Sequence, residues 1–139
     1  MKNYLRFFLD SLYRVSGEPS DMRNFVGRFY EIFLGRSTGI AARFADTDME
    51  RQHEMLAQSL HEMVEFSTSR VASERLRRVA LRHSRRERDV PTELYEVWLD
   101  SLIEAVREQD PLFTPEIELA WRVVLSPGIE YMKFRYERF

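Results

Sequence analysis

Apolar residues recur at intervals of three, four and seven along nearly the whole chain, and nowhere do they alternate with polar ones. An α-helix turns once in roughly 3.6 residues, so this spacing gathers the apolar side chains on one helical face. A half-buried strand needs strict alternation, which no window here supplies. Glycine and proline, five of each, cluster at breaks between the periodic stretches. The chain is therefore expected to be all-α. Its 139 residues suit a single domain spanning 1–139. With 44% hydrophobic and 32% charged residues it has apolar material for a packed core and charge for a wetted surface.

Six main segments emerge. The first, residues 2–15, ends at Ser16-Gly17 and Pro19. The second, 20–36, starts at Ser20 with Asp21 and buries Phe25, Phe29, Ile32 and Phe33. The stretch GRSTGIAARF reads as a short connection. The third long helix starts near Thr47-Asp48, with Thr47 as candidate cap and Glu50 three residues on. Its stripe is Met49, Leu56, Leu60, Met63 and Val64. Residues 67–86 read as helical and very basic, with Leu76, Val79, Ala80 and His83 on one side. After Asp89-Val90-Pro91, another helix runs from Thr92 to Val106. Thr114-Pro115 opens the last, which runs to the C-terminus with a kink or local break expected at Pro127-Gly128.

Several chemistries are excluded. There is no cysteine, which removes disulfides, thiolate metal sites, cysteine nucleophiles and thioether attachment of a cofactor. No apolar run approaches the ~20 residues of a membrane helix. The start, MKNYLRFFLDSLYRVSG, is interrupted by Arg6, Asp10 and Arg14 and does not read as a signal peptide. A net charge of −2 gives no general pull toward nucleic acid or an anionic membrane. The basic run from Arg70 to Arg88 is diluted by Glu74, Glu87 and Asp89 and lacks interleaved aromatics, so it reads mostly as a solvated face. No serine–histidine arrangement of recognisable spacing and no metal-ligand cluster is present. A cytoplasmic protein without nucleic-acid or membrane partners is expected.

Two clusters carry more than helix periodicity. One is Phe29-Tyr30, then Phe44 fourteen residues after Tyr30, then Gln52 and Leu56. The other is Val79-Ala80-Leu81-Arg82-His83, a break, and then Tyr95. With Ala120-Trp121 in the last helix, these positions in this order resemble the bacterial single-domain globins, from about residue 20 to residue 136. More helices than a simple four-helix bundle fit that packing. The resemblance implies a globin-like fold of about six to seven helices around one haem pocket, with haem b held non-covalently.

Carried over position by position, His83 matches the proximal histidine and would ligate the iron. Tyr30 matches the distal tyrosine and Gln52 the distal glutamine. Phe44 matches the phenylalanine that packs on the haem plane, and Leu56 an apolar residue one turn beyond Gln52. Val79 lies one turn before His83 and offers its carbonyl to the second ring nitrogen. Tyr95 matches a tyrosine that in some relatives hydrogen-bonds near the proximal histidine, though twelve residues separate it from His83, more than in the common pattern. A glutamate of that network in some relatives falls near Glu137, with Tyr136 competing for the position. His53, on the other flank of the same apolar face, is the alternative distal ligand. Arg82, Arg85 or Arg86 would meet the haem propionates.

The chemistry suits these residue types. Neutral imidazole is a good axial ligand for haem iron. A phenol and an amide aimed at one point stabilise a gas that carries partial negative charge. Spacing alone leaves other readings open: His83 as a solvated histidine among arginines, Tyr30 as a core residue, Gln52 as a surface residue. The resemblance implies reversible binding of a diatomic gas (O2, NO or CO). Nitric oxide scavenging would require an outside reductase, since no reductase domain or Gly-rich dinucleotide fingerprint is present. The alternatives are a gas sensor acting through a partner or homodimer, for which Tyr4, Phe7 and Phe8 would offer an apolar patch, and a haem-free globin-like interaction module.

Overall fold

A computed structural model describes residues 3–139; the expected start of the first segment at residue 2 lies outside them. Among the described residues there are seven helices and no strand: α1 Tyr4–Ser16, α2 Pro19–Leu34, α3 Thr38–Arg43, α4 Met49–Ser69, α5 Glu74–His83, α6 Leu94–Gln109 and α7 Pro115–Arg135. Five of them begin at a side chain that accepts a backbone N–H three residues on: Asn3, Ser37, Asp48, Ser73 and Thr114. Each such cap satisfies a donor the helix itself leaves orphaned and contributes ~1 kcal/mol.

The structure departs from the sequence expectations at five places. Pro19, not Ser20, opens α2, since proline loses nothing at the first helical turn. Asp48, not Thr47, caps α4. The expected connection GRSTGIAARF contains α3, capped by Ser37. The basic stretch 67–86 is not one helix: Arg70 takes a left-handed conformation (φ 61°) and ends α4, and Ser73 restarts the chain as α5. The last helix, by contrast, continues through Pro127. The carbonyl that Pro127 cannot serve is that of Val123, an exposed residue where water can take over.

The core lies where α1, α2, α4, α6 and α7 meet. Trp121, Phe8, Phe25, Phe29 and Leu102 are wholly buried there. Trp121 meets Phe8 edge to face at 4.6 Å, and its indole N–H donates to Ser11 Oγ at 3.0 Å. Ser11 in turn donates to Asp110, which also takes two hydrogen bonds from Arg14, at 2.7 and 2.9 Å. Phe8 is thus core, and Tyr4 and Phe7 pack against it, so these residues do not form the exposed patch the sensor reading called for. A smaller cluster, Leu76, Ala80 and Met132, binds α5 to α7.

α5 packs against α4 and α7, whereas α2 packs against α1, α3, α4 and α6. Among the described residues α2 and α5 do not touch. The space between them is the site.

Candidate functional site

A cavity of about 760 Å3 opens between these helices. Small-molecule and cofactor pockets run from roughly 300 to 1,000 Å3. Tyr30 from α2, Phe44 from the end of α3, Gln52 and Leu56 from α4, Val79 and His83 from α5, and Tyr95 from α6 all line it. Seven of the eight singled-out site residues therefore share one space. The eighth, His53, does not line the cavity.

Tyr30 is almost fully buried, and Gln52 Nε2 donates to its phenol oxygen at 3.1 Å. That bond uses a lone pair of the oxygen and leaves the hydroxyl hydrogen free to donate. Burial pushes the Tyr30 pKa up to about 12, against the smaller pull of the Gln52 bond, so the phenol stays protonated. Its ring meets Phe29 and Phe44 edge to face and lies flat against His53.

His83 closes α5. Its Nδ1–H donates to the Val79 carbonyl at 2.8 Å, which leaves the lone pair on Nε2. Burial holds the His83 pKa below its ordinary value, with Arg88 and Arg82 adding to the effect and the Val79 bond opposing it. The ring is therefore neutral at neutral pH, the form in which imidazole ligates metals. Among the described residues no group of three or more His, Asp or Glu is arranged to hold a metal ion.

Leu56 is buried, and Phe44 and Val79 are half-buried against the cavity. Tyr95 is raised far above the ordinary phenol range by burial, and its hydroxyl makes no hydrogen bond among the described residues. Tyr136 and Glu137, the two positions that compete for the glutamate of that network, are engaged elsewhere. The Tyr136 hydroxyl donates to Asp89, and exposed Glu137 lies beside Arg85 at 3.9 Å.

Sequence reasoning reached only part of the cationic rim. Arg43, Arg51, Arg75, Arg82 and Arg88 line the cavity. Of the alternatives Arg82, Arg85 and Arg86, Arg82 lines it, whereas Arg85 turns to Glu137 and Arg86 sits over the Phe139 ring at 5.5 Å. Arg43 grips the carbonyls of Arg88 and Asp89 at 3.3 and 3.1 Å, tying α3 to the loop after His83. Trp98 and Met132 also line the cavity. Trp98 carried a signal in its place on the buried stripe of α6; the arginines carried none beyond their charge.

Seven helices among the described residues, six of them lining a cavity walled by aromatic and aliphatic side chains, with a neutral histidine on one helix and a phenol–amide pair on others, define a haemoglobin-like fold. No family model and no curated protein matches the chain. Among solved structures, a protein from Pseudomonas aeruginosa PAO1, described as structurally highly homologous to a human hemoglobin, is similar with a TM-score of 0.87 and 34% identity, over 96% of this chain and 98% of that one. The chain belongs to the family of that haemoglobin-like protein. No helix among the described residues is long and apolar enough to cross a membrane.

Proposed function

We propose that this chain binds haem b non-covalently and uses it to bind a diatomic gas reversibly, with His83 as proximal ligand and Tyr30 and Gln52 as the distal pair. One observation carries the reading: a histidine with its Nε2 lone pair uncommitted and a phenol with its hydrogen uncommitted line one cavity from helices that do not touch.

The residues fit the group. The cavity has the size of a cofactor site, its walls are largely apolar, and its rim carries arginines suited to a pair of carboxylates. Haem, when bound, supplies the iron at which the gas coordinates. His83 Nε2 would hold that iron, and the Val79 carbonyl fixes the tautomer and ring orientation. Tyr30 donates to the gas, and Gln52 holds the phenol in place. Phe44, Leu56, Val79 and Tyr95 would keep water from the bound cofactor. Arginines of the rim, Arg82 among them, would neutralise the propionates. Nitric oxide scavenging on the same site would need a reductase to supply electrons.

Absorption spectra of the purified protein, ferric, reduced, and reduced with carbon monoxide, test this beside His83→Ala. The expected result is a strong Soret band that shifts with carbon monoxide and is lost or radically altered in the variant. A chain that stays colourless after haem is supplied overturns the proposal.

A further inference from the structure

Two consecutive residues of α4 grip Tyr30. Gln52 reaches its oxygen, and His53 covers its ring with centroids 5.1 Å apart and planes 8° from parallel. The other rings on Tyr30, Phe29 and Phe44, meet it at 69° and 62°. His53 alone among these lies flat on the phenol, and it alone can take up a proton. An imidazolium over an aromatic face is attracted by the ring's π electrons. It also stabilises negative charge on the phenol oxygen, which makes the O–H a stronger donor. A neutral imidazole does neither.

We infer that His53 is a positioning residue for Tyr30, and that its protonation strengthens the hydrogen bond Tyr30 donates in the cavity, so that gas release slows as the pH falls. The inference rests on the proposed gas-binding reading.

The surroundings let His53 act on Tyr30. It is half-buried, so protons reach it from solvent. The charged residues of α4 within one turn are Glu50, Arg51 and Glu54, all exposed. From α2 the nearest carboxylate in sequence to Tyr30 is Glu31, which Arg28 holds at 3.2 Å. The polar contacts of α5 with α4 fall on later turns, at Gln58 and Glu62, and α7 meets α4 at Met63, beside Gly128.

The test has two arms, both run between about pH 8 and pH 5.5, where histidine side chains change charge. In haem-free protein isotope-labelled at tyrosine Cζ, the Tyr30 resonance, identified by its loss in Tyr30→Phe, is followed by NMR. It titrates in the native chain and is flat in His53→Phe, which keeps a ring over the phenol but cannot ionise; His53→Gln is flat as well. In haem-loaded protein, O2 release slows by about threefold over that interval in the native chain and is pH-independent in both variants. Equal profiles in native and variant chains, in either arm, overturn the inference. So does a six-coordinate ferrous spectrum that becomes five-coordinate in His53→Phe, since His53 is then an axial ligand. A chain that takes up no haem loses the second arm and the gas-binding reading together, while the first arm still decides whether the charge on His53 reaches Tyr30.

Discussion

Gln52 Nε2 donates to Tyr30 Oη at 3.1 Å across the contact between α2 and α4. The amide thus occupies a lone pair on the phenol and aims its free hydrogen. Tyr30→Phe removes the donor while keeping the ring between Phe29 and Phe44. A hydrogen bond to a partly charged acceptor contributes ~1.5–3 kcal/mol, so O2 release is expected to accelerate by roughly tenfold or more. Stopped-flow displacement of O2 by carbon monoxide reads this directly. An unchanged rate takes Tyr30 out of the site. Gln52→Ala leaves the phenol in place and is expected to act in the same direction, more weakly.

Most of the fold was legible because helices announce themselves by period, and α1, α2, α6 and α7 carry long buried stripes. What was not legible has local causes. α3 has six residues, too few to establish a period. The break between α4 and α5 holds no glycine or proline; it is made by Arg70 in a conformation arginine seldom adopts and by the Ser73 cap. Pro127 was expected to disturb α7, yet tertiary packing holds the helix around it. In the site, order along the chain brought His83, Tyr30, Phe44 and Gln52 together. It could not show which arginines turn inward, nor that His53 lies flat on Tyr30, because both depend on side-chain direction. The Ser11–Asp110–Trp121 network joins residues about a hundred positions apart and leaves no local trace.

Asp110 makes stability pH-dependent. Burial alone would raise its pKa, but hydrogen bonds from Arg14, Ser11 and the Leu112 N–H outweigh that and hold it below the ordinary carboxylate value. A depressed native pKa means the unfolded chain binds more protons in acid. The contribution is therefore complete above the unfolded value, about pH 3.9, and is lost as the pH falls through the native value. Asp110→Ala leaves Ser11 without its acceptor and Arg14, which solvent partly reaches, without its partner, and is expected to cost about 1–3 kcal/mol at pH 7. Urea unfolding at pH 7 and pH 3 should show the gap between native and variant narrowing in acid. A gap of the same size at both values would refute the role of the charge.

Arg70 ends α4 with φ 61° and ψ 19°, and its N–H reaches back to the Phe66 carbonyl at 3.0 Å. That left-handed conformation costs an L-residue about 1–2 kcal/mol, which glycine escapes while losing more chain entropy on folding. Arg70→Gly should therefore be neutral to stabilising, by up to about 1 kcal/mol. Arg70→Val, β-branched at the same φ, should destabilise by more than ~1 kcal/mol. Thermal unfolding of the pair checks the order; if valine is tolerated as well as glycine, the strain is not there.

Gly128 of α7 faces Met63 of α4 at close range. A Cβ built there falls 2.9 Å from Met63 Cγ and 3.3 Å from Met63 Cβ. The first distance could be relieved by turning the flexible methionine, but the second involves an atom fixed to the α4 backbone. Helix propensity favours replacing this glycine, by up to ~1 kcal/mol for alanine and less for valine. Overpacking opposes it by about 1–3 kcal/mol. The two nearly cancel for Gly128→Ala, whereas Gly128→Val adds bulk with little propensity gain and should lose about 1–3 kcal/mol in urea unfolding. If the clash with Met63 is the cause, the cost of Gly128→Val should shrink in a Met63→Ala background, giving a non-additive double-mutant cycle. Full additivity would place the strain elsewhere. Met63 also lines the cavity, so pushing α4 outward at this point should loosen the site that Gln52 and Leu56 help to form. Gly128→Val is then expected to lose haem faster than the native chain as well as to unfold earlier.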